Sequence, residues 1–209
     1  MTKRTFQEII QALIGVPEEQ IQDVAEALFA STEQRPAVYW IYLAISGGIA
    51  YFGLVMNSTA VVIGAMLVSP LMTPLVQTGM AFAVGNPYLA LRSLIRVFLS
   101  MVGVVVFAAL TTMILPFEQI TPEIAARTQP NVLDLLVALF CAVVASLTTA
   151  RQAGDTISAA AGTAISIALV PPLCVMGFGL GILDGRIFLG STLLFIANLS
   201  AIILVADLF

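Results

Sequence analysis

The chain has 209 residues, of which 60% are hydrophobic and 10% charged, with no histidine and a formal net charge of −4; its mean hydropathy is +1.05. A soluble domain carries about 25% charged residues, so water is excluded as the solvent of most of this chain. The acidic balance and the lack of a basic block argue against nucleic acid as a partner, and without histidine there is neither an HExxH zinc protease nor an imidazole proton shuttle.

Residues 1–35 are the one soluble-looking portion. Phe6, Ile9, Ile10 and Leu13 form one helical stripe and Ile21, Val24 and Leu28 another, on either side of Gly15-Val16-Pro17. Two short amphipathic helices are predicted, cytoplasmic or lying on the headgroup surface. The first apolar run starts at Val38 after this polar stretch, so no secretory signal peptide is expected and insertion would rely on the first span.

Six hydrophobic spans follow, near 38–56, 58–85, 93–115, 132–150, 156–183 and 187–207, each long enough to cross a bilayer. A soluble helical bundle would need a polar face on each helix, and Met101 to Ala109 offers none. Asn86-Pro87 reads as a capping side chain before a proline at the first helical position, as does Thr121-Pro122 for a short helix in a loop bracketed by Pro116 and Pro130. Lys3, Arg4, Arg35, Arg92, Arg96 and Arg151 then fall on the cytoplasmic side and only Arg127 and Arg186 outside, as the positive-inside rule requires. Four spans with re-entrant hairpins at 58–85 and 156–183 would move Arg92, Arg96 and Arg151 outside. The expected location is the cell inner membrane, multi-pass, with a cytoplasmic N-terminus; Phe209 is a physically reasonable end to the sixth span.

Sliding the chain by 98 residues without a gap superposes Asn57 on Asp155, Gly64 on Gly162, Leu71 on Leu169, Pro74 on Pro172, Gly79 on Gly177 and Asn86 on Asp184. Glycine, proline and capping positions have backbone roles that apolar composition does not explain. Each matched segment is the middle one of three spans. Because three is odd, the second unit must enter the membrane from the opposite side, as in many secondary transporters. The predicted fold is therefore an all-α polytopic membrane protein: amphipathic helices at 1–35, a three-helix repeat at 36–116, an extracytoplasmic loop with a short helix at 117–131, and an inverted three-helix repeat at 132–209.

Chemistry concentrates in the two middle spans. A proline cannot donate to the carbonyl four residues earlier, so Pro70 and Pro74 free the carbonyls of Met66 and Pro70, while Pro171 and Pro172 free those of Ile167 and Ala168. Such carbonyls are tolerated within lipid only where they face protein, water or a bound solute. With Asn57, Ser69, Thr73, Gln77, Asp155, Ser158, Thr163 and Ser166 they form a candidate binding site for a small polar solute or ion. The plainer reading is a kink satisfied by neighbouring helices.

Gly154, Ser158, Gly162 and Ser166 recur every fourth residue, a small-residue face that suits close helix packing. Asp155, with Arg151 four residues before it, is either an exposed helix-end ion pair or a functional acid beside a span. Arg92 and Arg96 share a helix face and reach the headgroups, with an anionic lipid or substrate as a further reading; Asn198 lies within the last span. Cys141 and Cys174 stand alone as small apolar residues.

The phrases NSTAVVIGAMLVSPLMTPL at 57–75 and GDTISAAAGTAISIALVPPL at 154–173, in this order, resemble the bacterial and archaeal membrane family catalogued as domain of unknown function 389, over most of residues 38–207. The resemblance implies a multi-span inner-membrane protein and transfers no catalytic residues. Some members carry a larger soluble portion before the membrane region, where this chain has residues 1–35. The expectation is a transporter or channel-like protein rather than an enzyme, with no cofactor or metal, set in the lipid bilayer and forming a homo-oligomer. The alternative is a structural membrane scaffold that oligomerises or holds a partner.

Overall fold

The computed structural model describes residues 36–71, 74–75, 77–78, 81, 85–115, 119–150 and 169–208. Seven helices and no strands occur among them: α1 Pro36–Val55, α2 Thr59–Val68, α3 Pro87–Ile114, α4 Pro122–Ala125, α5 Val132–Ala150, α6 Leu169–Gly181 and α7 Gly185–Leu208. Residues 1–35, for which amphipathic helices are predicted, lie outside the described residues. Ala37–Val55 and Pro87–Ile114 are long and apolar enough to cross a membrane, and α2, α6 and parts of α5 and α7 are shorter apolar helices.

Local chemistry sets the helix ends. Asn86 Oδ1 accepts from the backbone N–H groups of Tyr88 and Leu89, two donors that the helix itself leaves unpaired. Thr121 Oγ1 caps α4 in the same way, accepting from Ile124 N–H at 3.3 Å. Between α1 and α2 the chain reverses at Asn57, whose φ of 53° is left-handed, a region that asparagine enters more readily than most residues. Ser58 N–H then reaches back to Gly53 O at 2.9 Å, the bond that closes a left-handed helix terminus.

α1 and α3 are parallel. Tyr39 Oη lies 2.6 Å from Ser100 Oγ, Gly47 faces Val104, Gly48 faces Phe107, and Thr112 Oγ1 lies 3.0 Å from Tyr51 Oη. The two sequences ascend together, so the chain returns between Val55 and Pro87. α2 makes the first part of that return, packed so closely on α1 that a Cβ at Gly53 would stand 2.9 Å from Val62 N.

α6 is the most enclosed helix: Leu169, Val170, Leu173, Cys174, Val175 and Phe178 are all at most 1% exposed. It runs parallel to α3, with Gly177 against Val105, Ala108 and Ala109 and Gly181 against Thr112 and Ala109. On α1, Cys174 Sγ faces Gly47 O at 3.6 Å. Pro171 and Pro172 are buried and helical within it. α5 packs on α7, and α4 on α1.

Large apolar side chains line the outside as well as the core, and several polar ones lie inside. Ser46, Gln77, Thr78, Ser93, Ser100, Thr112, Ser191 and Asn198 are inside, while Ile41, Ile45, Leu91, Phe98, Leu110, Phe140 and Leu193 are among the large apolar side chains facing out. Soluble monomers rarely expose apolar patches beyond a few hundred Å². Most of the buried hydroxyls bond to their own helix: Ser93 to Leu89 O and Ala90 O, Ser100 to Arg96 O, Thr112 to Ala108 O.

Local geometry recurs at the 98-residue shift. Gly85 has φ 70° and Leu183 φ 57°. Asn86 N–H bonds Ala81 O at 3.0 Å and Asp184 N–H bonds Gly179 O at 2.9 Å. Asp184 Oδ1 caps α7 through Arg186 and Ile187 N–H, as Asn86 caps α3. Ser191 Oγ bonds Ile187 O and Phe188 O, the shifted counterparts of the Ser93 bonds.

A methyl at Gly177 has no room, since its Cβ would lie 2.5 Å from Ala108 Cβ and closer still to Val105 O, whereas Gly64 has nothing within 4 Å. Gly177→Ala should destabilise by about 1–3 kcal/mol, and Gly64→Ala should be neutral or stabilise by up to about 1 kcal/mol through helix propensity. Thermal melting of the two variants in the same detergent checks the contrast.

Candidate functional site at the helix break

α2 ends at Val68, and its C-cap Ser69 directly precedes Pro70. The proline ring disfavours helical backbone at the preceding residue, and Ser69 is accordingly extended, with φ −70° and ψ 127°. Its N–H turns to Met66 O at 3.3 Å, so the Met66 carbonyl that Pro70 cannot serve has a tightened partner. The Ser69 hydroxyl is different: it is buried and has no hydrogen-bond partner among the described residues. A buried unsatisfied hydroxyl costs about 1–3 kcal/mol.

Beyond the break the chain is helical again at Pro74, Leu75, Gln77, Thr78 and Ala81. Thr78 Oγ1 donates to Pro74 O at 2.7 Å, a back-bond of the kind that bends helices. Gln77 is 1% exposed and Thr78 fully buried. The break therefore turns Ser69, Gln77 and Thr78 inward on one interrupted segment. Sequence reasoning missed Thr78; its signal was the spacing of four residues from Pro74.

Asn57 is placed elsewhere. The ten residues of α2 separate it from Ser69 by about 15 Å, and its Oδ1 accepts from Glu123 N–H at 3.2 Å. It fastens the loop helix to the α1–α2 turn. Thr121 Oγ1 donates to Leu54 O at 2.6 Å, Thr59 Oγ1 donates to the Glu123 carboxylate, and Arg127 pairs with Glu123 at 2.6 Å. Ile124, at 0% exposed, packs beneath. On the far side of the loop, Thr128 O lies against Gly190 of α7.

Thr73, Asp155, Ser158, Thr163 and Ser166, with Arg151 and the carbonyls of Ile167 and Ala168, lie outside the described residues. Pro171 and Pro172 sit inside α6, whose described part stays helical through both. Among the described residues no group of three or more His, Cys, Asp or Glu side chains could hold a metal ion. Cys141 and Cys174 are free thiols.

A family model described as a domain of unknown function (DUF389) matches residues 66–204. The chain belongs to this family. It is similar to the uncharacterized protein MJ0678 of Methanocaldococcus jannaschii, 28% identical over 162 residues that cover 78% of this chain and 50% of the relative. The chain thus spans about half the length of the curated relative it matches. No solved structure matches.

The loop clamp titrates. The Thr59 hydroxyl first, and the Arg127 guanidinium after it, hold the Glu123 carboxyl below its ordinary value of 4.5. A depressed carboxylate contributes stability above its unfolded value and loses it as pH falls through the folded one. The melting temperature in detergent should therefore drop below about pH 4.5 in the native chain, and Glu123→Gln should be less stable at pH 7 with a flatter acid limb. Melting curves between pH 3 and 7 measure both.

Proposed function

We propose that the chain is a polytopic membrane protein that binds and passes a small polar solute or ion at broken helices in its middle spans. The observation that carries this reading is the Ser69 hydroxyl, buried at the break with Gln77 eight residues on and no partner among the described residues. A polar atom in that position gains most from a bound polar group or water. Thr73 and, from the second half, Asp155, Ser158, Thr163 and Ser166 complete the proposed site. No nucleophile, cofactor or metal is part of it.

The same reading has six spans in two inverted units. The apolar outward faces suit a lipid solvent, and the parallel α1 and α3 require a crossing between them. The recurrence of the Asn86 and Ser93 geometry at Asp184 and Ser191 relates α3 to α7. α6 is parallel to α3, and α7 leaves α6 by a short turn with Gly179 against Phe188, so the related helices α3 and α7 take opposite senses. On this reading the side on which α1 begins is cytoplasmic in the inner membrane.

One observation favours a second reading, a scaffold that assembles as a homo-oligomer: Ser93, Ser191 and Thr78 are satisfied by their own helix carbonyls and ask for no ligand.

The test is thermal shift of the detergent-purified chain against ions, sugars, amino acids and organic anions, since a ligand of the folded state raises its melting point. One solute class should raise it in the native chain. Ser69→Ala should abolish that response while leaving the unliganded melting point unchanged or higher, because it removes an unsatisfied hydroxyl. No response to any class, or an equal response in Ser69→Ala, would move the assignment to the scaffold.

A further inference from the structure

The outward seam of α1 and α3 carries a cleft of about 130 Å³ walled by Trp40, Leu43, Gly47, Gly103, Val104 and Phe107. Two glycines open it. A side chain at Gly103 would find nothing nearer than the Trp40 ring at 4.0 Å, and one at Gly47 would meet only the Val104 methyls at 3.7 Å. Trp40 and Phe107 are 40% and 38% exposed, so the furrow faces outward between aromatic banks.

Its level in the bilayer follows from helix register. α3 has 28 residues, about 42 Å, against a hydrocarbon core of about 30 Å, whereas the 20 residues of α1 match that core. Tyr39 pairs with Ser100 and Tyr51 with Thr112, which sets Pro36 level with Val97. The first turns of α3, Pro87 to Arg96, stand beyond the start of α1, and Arg96 falls at the polar boundary. Seven residues on, two helical turns along the same face, lies Gly103. Tyr39 and Trp40, in edge contact with centroids 5.4 Å apart, occupy the zone where amphipathic rings collect. Arg96 is half-buried and pairs with no carboxylate among the described residues.

We propose that this seam binds an anionic phospholipid of the leaflet on the side where α1 begins, with its phosphate on Arg96 and one acyl chain in the Gly47–Gly103 furrow. The proposal rests on the membrane-spanning part of the reading above, and not on the solute site. Charge selects the lipid over a second copy of the chain. Neither α1 nor α3 contains an acidic residue, so a two-fold contact of the seam with itself would bring arginines together with no acid between them.

Phosphatidylglycerol and phosphatidylcholine with identical acyl chains, titrated into the full chain in neutral detergent and read by thermal shift, form the test. Phosphatidylglycerol should act at lower concentration. Arg96→Gln should weaken its apparent affinity about fivefold and leave phosphatidylcholine unchanged, while Arg96→Lys keeps the preference. Gly103→Leu should weaken both lipids by filling the furrow, and Gly103→Ala, which the 4.0 Å clearance admits, should do so to a smaller degree. An intact preference in Arg96→Gln, or unaltered affinity in both Gly103 variants, overturns the site. So does a change of oligomeric mass in Gly103→Leu, by light scattering, with the lipid response retained. Equal silence towards both lipids also overturns it, and leaves the Ser69-dependent solute response as a separate measure of the proposed function.

Discussion

The seam between α6 and α3 is the contact on which the rest of the bundle depends. Gly177 and Gly181 present no side chain to α3, so the two backbones approach until dispersion and weak Cα–H contacts act directly between them. On the proposed membrane reading these helices gain little hydrophobic energy from association, because acyl chains are as apolar as leucine. Close packing of small residues then becomes the dominant attraction. It draws α6 into the centre, where Cys174 meets Gly47 of α1, and commits α1 and α3 to one parallel register, held at each end by a tyrosine–hydroxyl bond.

That register constrains the segment between α1 and α3. The chain has to return across the same thickness between Val55 and Pro87, and it does so with an interruption at Ser69-Pro70. A break within an apolar segment leaves polar backbone open, tolerated where local groups absorb it. Ser69 N–H covers Met66 O, the carbonyl that Pro70 cannot serve, and Thr78 Oγ1 adds a back-bond to Pro74 O. Repair by such back-bonds is what an inert kink requires. The Ser69 hydroxyl is outside that repair among the described residues, and it is this surplus that separates a candidate site from a kink.

Much of this was legible in the sequence because it is local chemistry. Asn86-Pro87 and Thr121-Pro122 announce their caps, and Pro70 announces the end of α2. The 98-residue shift was legible through glycine, proline and capping residues, although the Ser93 and Ser191 pair went unread, since serine in an apolar helix has no distinctive signature. Long-range contacts left no trace. The engagement of Asn57 with Glu123 joins residues 66 apart, so an asparagine read as solute-binding is a loop fastener. Leu183 takes a left-handed φ of 57° where sequence rules expect glycine or asparagine, at a cost of about 1–2 kcal/mol that the Asp184 cap and the Asp184–Gly179 bond offset.

The loop fastener and the helix break lie on the same short helix. At one end Thr59 bonds the Glu123 carboxylate and Asn57 takes the Glu123 N–H. At the other, Ser69 departs into extended backbone. A helix is a cooperative hydrogen-bonded ladder, and the extended Ser69 with the turn at Pro70 and Leu71 interrupts it. α2 is at the same time packed closely on α1, with Gly53 against Val62, so the loop and the break are joined through a helix held along its flank. The loop is also braced by Thr128 against Gly190 of α7, so the first half of the chain meets the last helix through it. If the break binds a solute, α2 is the element whose position both the solute and the loop clamp bias, and their coupling has to be reciprocal.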